Sequence, residues 1–409
     1  MKNFFKHIGP GTLVAAAFIG PGTVTVCTLA GVTYQFTLLW AMALSIVATI
    51  VLQEMAARIG LVSGKGLASS VKQEIRNPWL RSAAILLIVA AILLGNAAYE
   101  AGNISGGVLG LETLITDPIW DLSFARINYL TLLVGIIGFI VLYVGKYKVI
   151  ERTLIALVLI MSLSFVITAV LTRPEVLQVL KGIFVPTAPE EGWLTIIALV
   201  GTTVVPYNLF LHASLVREKW TGVEELRLAR RDTYFSILLG GIVSMAIIIC
   251  AAAISGSEVN NAADLAKGLE PLFGNFSKYF LSLGLFAAGI TSAITAPLAA
   301  AYVAAECFGW GGGLRSVRFR CVWILVLVLG VVLSSIGWKP IQIIQIAQVA
   351  NGLLLPIIAT FLLWVVNRRS VMGTYHNSWV QNVLGGLIVI TTVILGLRSL
   401  SKVFEFSLF

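Results

Sequence analysis

The sequence predicts an all-α polytopic membrane protein in which eleven transmembrane helices form two inverted five-helix repeats and one additional helix. Three observations support this fold class. The 409 residues are 58% hydrophobic and 11% charged, whereas a soluble globular chain is about 25% charged. Eleven apolar runs approach the roughly 20 residues that cross a bilayer as a helix. The first and sixth of these runs are both interrupted by glycine and proline.

The predicted spans follow one another with short connections, so we expect a single transmembrane domain over residues 1–409. Residues 12–172 form the predicted first repeat, residues 192–366 the second, and residues 379–398 the eleventh helix. Because each repeat has an odd number of helices, the second must enter the membrane from the opposite side. The spans are predicted at 12–34, 37–58, 82–110, 127–145, 149–172, 192–216, 234–255, 277–307, 319–337, 341–366 and 379–398.

Lysine and arginine orient the predicted spans, because cytoplasmic loops of membrane proteins are enriched in them. With the N-terminus in the cytoplasm, 20 of the 28 basic residues fall in cytoplasmic segments. We therefore expect an integral protein of a bacterial inner (plasma) membrane, with its N-terminus cytoplasmic and its C-terminus outside. The net charge of +9 is spread over loops and forms no basic face, so no nucleic-acid partner is predicted.

The two interruptions occupy corresponding places in the two repeats. Gly20, Pro21 and Gly22 lie near the middle of the first span, and Gly201 and Pro206 lie at a similar depth in the sixth. Backbone groups freed in lipid are costly unless protein or a wet cavity satisfies them. Interrupted helices at matching positions of two halves are typical of a transporter's binding site. A pair of ordinary proline kinks is the alternative interpretation.

Ionisable residues inside the spans are further candidates. Glu100 lies within the third span, and Asn103 follows on the same helix face. A buried membrane acid indicates function, here as a cation counter-charge or proton carrier, although a structural acid is the alternative. His212, in the sixth span, is either a proton relay or a hydrogen-bonded packing residue. Glu54 precedes Arg58 by four residues, which predicts an ion pair near the membrane interface.

Four segments resemble the Nramp family of proton-coupled divalent-metal transporters. Residues 20–23, GPGT, stand where the family has Asp-Pro-Gly-Asn. Residues 205–212, VPYNLFLH, are similar to the family's Met-Pro-His-Asn-Leu-Tyr-Leu-His. Residues 56–68, AARIGLVSGKGLA, resemble its AARLG…TGK stretch, and Gln348 matches a glutamine that precedes a Leu-Pro pair. The resemblance covers nearly the whole chain and implies a LeuT-type fold and secondary transport.

The departures from the family pattern fall on the metal ligands. In Nramp proteins an Asp and an Asn of the first helix, a Met sulfur of the sixth and a backbone carbonyl hold the metal. At the matching positions this chain has Gly20, Thr23 and Val205, and Tyr207 replaces the first of two histidines. The chain therefore resembles the Nramp-related outgroup that includes magnesium transporters.

The remaining groups at the breaks are neutral. Mn²⁺ and Fe²⁺ favour anionic oxygen, nitrogen or sulfur ligands, whereas Mg²⁺ keeps several waters. The predicted substrate-binding residues are Gly20, Thr23, Thr202, Val205, Tyr207, Asn208, Gln348 and Asn351, with hydroxyls of Thr203, Thr291, Ser292 and Thr295 as further cavity candidates. The predicted coupling residues are Glu100, Asn103 and His212. Interhelical hydrogen bonding is the alternative role for Gln348 and Asn351.

Three hypotheses follow. The leading one is secondary transport of a divalent cation, Mg²⁺ more than Mn²⁺. The second is transport of a small polar or organic solute after loss of metal transport, and the third is a non-transporting sensor or scaffold. The sequence has no P-loop, Rossmann glycine pattern or HExxH motif, so no enzymatic activity and no cofactor are predicted. The expected partners are a small ion or polar solute and the lipid bilayer.

Overall fold

The computed structural model describes residues 19–115, 118–122, 125–145, 148–220, 222–254, 256, 258–311 and 316–403. The start of the predicted first span, at 12–18, lies outside these ranges. Four of the basic residues that orient the spans, Lys2, Lys6, Lys146 and Arg315, also lie outside them.

Helices account for most of the described chain. The first half contains α1 (Pro21–Tyr34), α2 (Leu39–Ser63), α3 (Leu67–Glu74), α4 (Pro78–Leu111), β1 (Ile119–Leu122), β2 (Ala125–Asn128), α5 (Tyr129–Val144), α6 (Lys148–Leu171) and α7 (Val176–Phe184). The second half contains α8 (Trp193–Thr203), α9 (Pro206–Lys219), α10 (Leu226–Ala252), α11 (Ala262–Ala266), α12 (Glu270–Phe273), α13 (Ser277–Phe308), α14 (Val317–Ser334), α15 (Pro340–Val366), α16 (Arg369–Met372) and α17 (Trp379–Val403).

The helical membrane-protein class is confirmed. Within the described ranges, nine helical segments are long and apolar enough to cross a membrane, with α8 and α9 counted together as one segment. Helix α5 is apolar but shorter, and α1 is described only from Pro21. The number of eleven spans and the division into repeats therefore stay predictions.

Seven short elements lie in segments that were predicted to be loops, namely β1, β2, α3, α7, α11, α12 and α16. Strands β1 and β2 pair antiparallel, with Ile119 opposite Asn128 and Leu122 opposite Ala125, and form a small hairpin that leaves the all-α class unchanged. Strands of four residues are too short for an alternating pattern to show clearly in a sequence. The short helices α3 and α7 were also missed, because neither has the length of a span.

Helix α4 packs extensively against α13, α14 and α15. Glycines along it allow these close approaches, since a side chain at Gly106 would collide with Pro21 of α1 and one at Gly102 would press on Ala347 of α15. Small residues are the usual means by which membrane helices pack closely. Through these contacts α4 meets both the start of α1 and the helix that carries Gln348.

One end of the bundle, here called the charged end, is held by polar contacts between distant segments. Lys72 of α3 donates to the carbonyl oxygen of Cys307 at 2.8 Å. Arg58 of α2 donates to Asn377 Oδ1 at 2.6 Å and to the Tyr375 carbonyl at 2.8 Å. Because Lys72, Cys307 and Asn377 belong to separate parts of the chain, these contacts fix the ends of several helices together.

Candidate functional site

The first interruption lies immediately before α1. Gly20 is buried and has extended backbone angles, with φ −100° and ψ −176°. Pro21 is the first residue of the helix, a position where its missing amide hydrogen costs nothing. Helix α1 therefore begins directly after an extended residue, Gly20, at the place where the sequence predicted the interruption.

The second interruption separates α8 from α9 at Val204 and Val205. Val204 has φ −96° and ψ 72°, and Val205 has φ −73° and ψ 119°, so neither is helical. Pro206 opens α9 and has no amide hydrogen to offer the carbonyl group of Thr202, four residues earlier. The predicted break is thus present.

Gly201 does not cause this break, contrary to our prediction. It is helical, within α8, and a side chain there would collide with the carbonyl oxygen of Gln348 in α15. Gly352 of α15 makes the reciprocal close approach to Ile197 of α8. The two glycines let α8 and α15 pack backbone against backbone, which brings Gln348 beside the interruption.

Three helices contribute side chains to one buried group, here called the break cluster, formed by Thr23, Thr202 and Gln348. The hydroxyl groups of Thr23 and Thr202 lie 2.9 Å apart, and all three residues are about 1% exposed. The Gln348 side chain lies against Gly22, where a larger residue would collide with it. The structure thus unites residues from α1, α8 and α15 that the sequence places far apart.

Several polar atoms in and near the break cluster are not satisfied. Gln348 Oε1 and Asn208 Oδ1 accept no hydrogen bond, and Asn351 Nδ2 donates none, within the described part of the chain. All three side chains are about 1% exposed. Buried polar groups are normally hydrogen-bonded, so these three atoms have unused capacity to bind a ligand. The binding role of Gln348 and Asn351 stays a prediction, beside interhelical bonding as the alternative.

Other predicted cavity hydroxyls are engaged within their own helices. Thr203 donates to the Leu199 carbonyl at 2.7 Å and faces the sulfur of Met42. Thr291 and Thr295 donate to carbonyls one turn earlier in α13. Threonine hydroxyls in helices readily donate in this way and keep the capacity to accept a bond, so their role as cavity hydroxyls stays a prediction. Ser292, predicted with them, is buried and its Oγ atom has no partner among the described residues.

Glu100 and Asn103 form a second buried pair, on α4. Asn103 Nδ2 donates to Glu100 Oε2 at 3.3 Å, and Glu100 is fully buried. Among the described residues, Glu100 has no ion-pair partner and its Oε1 atom accepts no hydrogen bond. The Glu100 side chain packs closely against Gly330 of α14. The ring of Tyr99, next to Glu100, packs 5.3 Å from the ring of Tyr207 in α9.

His212 is held away from the break cluster. Its Nδ1 atom lies 2.8 Å from Gln53 Oε1, and its Nε2 atom lies 3.5 Å from the Thr233 hydroxyl. The side chain is fully buried. These bonds join α2, α9 and α10, which favours the hydrogen-bonded packing role.

The Glu54–Arg58 pair predicted from the sequence is confirmed, at 3.0 Å. Arg230, which the sequence did not suggest, lies 2.8 Å from the other carboxylate oxygen of Glu54. A second unpredicted group joins Glu306 of α13 to α9, through Ser214 at 2.7 Å and Arg217 at 3.3 Å. The sequence feature that could have indicated this contact is the position of Glu306, an acidic residue at the end of the predicted span 277–307.

No group of three or more His, Cys, Asp or Glu side chains that could hold a metal occurs in the described ranges. A family model for Natural resistance-associated macrophage protein-like (Nramp) proteins matches residues 11–402. The chain belongs to the Nramp family. This finding confirms the resemblance seen at residues 20–23 and 205–212, and with it the class of membrane transporter rather than enzyme.

Individual relatives agree with the family assignment. A divalent metal cation transporter, MntH, of Caldanaerobacter subterraneus subsp. tengcongensis is 25% identical over 407 residues, covering 97% of this chain and 92% of the relative. A crystal structure of the Eremococcus coleocola manganese transporter is similar with a TM-score of 0.78 and 21% identity, covering 98% and 87%. Mhp1, a nucleobase-cation-symport-1 transporter, is similar with a TM-score of 0.57 and 14% identity, covering 97% and 93%. These similarities confirm the LeuT-type fold.

Proposed function

We propose that this Nramp-family chain is a secondary transporter that moves a divalent cation by alternating access, with Mg²⁺ favoured over Mn²⁺. The observation that carries the proposal is the chemistry of the break cluster and its neighbour Asn208. They offer hydroxyl and amide oxygens, of which Gln348 Oε1 and Asn208 Oδ1 have no described donor. Relatives named as divalent metal transporters support the cation.

Neutral oxygens favour magnesium over manganese at this site. Mg²⁺ dehydrates reluctantly and is often bound through its own water shell, which hydroxyl and amide oxygens can surround. Mn²⁺ would gain from an anionic or sulfur ligand, but Gly20, Thr23 and Val205 occupy the places where the family pattern has Asp, Asn and Met. A hydrated dication therefore suits the break cluster better than a bare transition-metal ion.

Glu100 is the proposed counter-charge for the ion. Its buried carboxylate has only a neutral partner, Asn103, and an approaching dication would offset the cost of burying that charge. Because the Glu100 side chain packs against Gly330 of α14 and is not part of the break cluster, we propose that it acts through space or through the water shell of the ion.

The arrangement described is closed, since Thr23, Thr202 and Gln348 are about 1% exposed. We propose that the charged end is cytoplasmic, in keeping with its Lys and Arg residues. Opening toward that side would separate α9 from α13, where Arg217 and Ser214 hold Glu306. The inverted repeats, 12–172 and 192–366, would provide the two alternating arrangements.

Uptake into proteoliposomes tests the proposal. The purified chain should admit Mg²⁺ down its gradient, and Mn²⁺ more slowly, while protein-free liposomes admit neither. The triple variant Gly20→Asp, Thr23→Asn, Val205→Met should gain Mn²⁺ binding in isothermal titration, because it restores the family's ligand types. If neither divalent ion produces flux or heat in the wild-type protein, the cation proposal is wrong.

A small anionic or polar solute is the second candidate, and one observation favours it. Helices α1 and α9 both begin at the breaks, and helix amino ends attract carboxylates. Asn351 Nδ2 is also a buried donor without a described acceptor. A thermal-shift screen of small carboxylates and amino acids against Mg²⁺ on the same protein would identify which class of ligand stabilises it.

A further inference from the structure

A groove of about 430 Å³ lies on the outer surface of α15, where this helix reaches the charged end. Its lining residues recur at the spacing of one helix face. They are Thr360, Leu363, Trp364, Asn367 and Arg368. The groove is far along α15 from Gln348, by about 24 Å over the 16 residues to Trp364 at 1.5 Å per residue, so it is separate from the break cluster.

The groove changes from apolar to charged along its length. Leu363 and Thr360 lie on the part of α15 that crosses the membrane, whereas Arg368 follows the end of the helix at Val366. The Arg368 guanidinium carbon lies 4.6 Å from the centre of the Trp364 ring. Tryptophan and arginine together at a helix end are typical of the level of lipid headgroups.

The floor of the groove is fixed, but most of the donors of Arg368 are available. Asn367 Nδ2 donates to the Leu363 carbonyl at 2.8 Å and to Asn382 Oδ1 of α17 at 2.7 Å. Arg368 Nε lies 3.8 Å from Glu74 Oε1. A guanidinium has five N–H donors in a planar fork. Among the described residues Glu74 is the ion-pair partner of Arg368, which leaves the two terminal nitrogens to bind an anion.

We propose that this groove binds an anionic phospholipid, with its phosphate on Arg368 and an acyl chain along Leu363 and Thr360. Basic pockets beside membrane helices recognise such headgroups, and arginine forms paired hydrogen bonds to phosphate oxygens. The apolar part of the groove faces the bilayer and commits the occupant to a lipid rather than to free phosphate.

The chain provides a matched control for this site. The guanidinium carbon of Arg398 lies 4.8 Å from the centre of the Trp193 ring, which repeats the arginine–tryptophan pair outside the groove lined by Arg368. Arg398 follows Trp379, the first residue of α17, by 19 residues, about 28 Å along the helix. It therefore lies toward the opposite end of the bundle from Arg368.

Native mass spectrometry of the purified full chain, titrated with phosphatidylglycerol or phosphatidylcholine, tests the proposal. We expect Arg368→Ala to lower the fraction of protein with bound phosphatidylglycerol at least about fivefold, since one basic residue near a membrane surface contributes about 1 kcal/mol. Arg398→Ala should bind it as the wild type does, and binding of phosphatidylcholine should be weak in all three proteins.

Two outcomes would overturn the proposal. One is equal binding of phosphatidylglycerol by Arg368→Ala and the wild type, and the other is no preference of the wild type for the anionic lipid. Arg368→Lys, which keeps the charge but loses the fork, is the second variant if Arg368→Ala fails to fold. It should retain an intermediate share of the anionic lipid.

Discussion

The charged end and the break cluster are both buried and polar, but they differ in how their atoms are satisfied. At the charged end, Glu54 meets Arg58 at 3.0 Å and Arg230 at 2.8 Å. At the breaks, Gln348 Oε1 and Asn208 Oδ1 accept no bond from any described residue. At the charged end Arg58 Nε and Glu306 Oε2 also lack a described partner, but both side chains are ion-paired through their other atoms. Paired charges hold helices together, whereas the neutral amide oxygens without donors at the breaks are the proposed place for a ligand. The following predictions test whether this distinction separates stability from transport.

The largest expected effect is on stability, at the charged end. Glu54→Gln should lower the free energy of unfolding by about 3 kcal/mol, because it leaves the buried guanidinium of Arg58 without its carboxylate. Thermal unfolding of the detergent-purified protein measures this loss. Glu74→Gln is the control, since its exposed contact with Arg368 contributes less than about 1 kcal/mol. Equal effects of the two variants would contradict a structural role for Glu54.

Glu100 should behave in the opposite way. Glu100→Gln should reduce Mg²⁺ uptake at least about tenfold, because a dication loses a buried counter-charge, yet thermal stability should not fall. The reason is that Glu100 has no ion-pair partner among the described residues, so its replacement leaves no buried cation without a counter-charge. Initial uptake rates in proteoliposomes provide the measurement, with Glu258→Gln in an exposed loop as the control. Unchanged uptake would remove Glu100 from the proposed mechanism.

A smaller effect is expected within the break cluster. Thr23→Val keeps the side-chain shape but removes the hydroxyl that lies 2.9 Å from that of Thr202. It should raise KM for Mg²⁺ about fivefold, which corresponds to the free energy of about one hydrogen bond. Thr49→Val, at a buried hydroxyl of α2 that donates to the Ser45 carbonyl at 2.7 Å, should leave KM unchanged. A double-mutant cycle with Thr202→Val should show less than the sum of the two single effects.

The sequence predicted those features that depend on local pattern. Apolar runs located the spans, and proline located the helix starts at Pro21 and Pro206. Glu54–Arg58 was predictable because four residues make one helical turn. Arg230 was not, because its approach to Glu54 depends on how α10 packs against α2. For the same reason Gly201 was mistaken for a helix breaker, since its role depends on the backbone of α15, which no local pattern shows.

The smallest effect concerns opening of the charged end. Glu306→Gln weakens the contact between α13 and α9. Because Arg217, the ion-pair partner of Glu306, is 36% exposed, we expect the equilibrium between the closed and open arrangements to shift toward the open one by about fivefold at most.

Cys307, the residue after Glu306, reports on this opening. It is buried, and its labelling can be followed once the exposed Cys321 is replaced by serine. Maleimide labelling of Cys307 should accelerate two- to fivefold, about the size of that shift. Buried Cys27 of α1 should stay unlabelled. If Cys27 and Cys307 become reactive together, the variant has lost stability throughout the bundle. Glu306 would then be a stabilising residue like Glu54, without a role in opening.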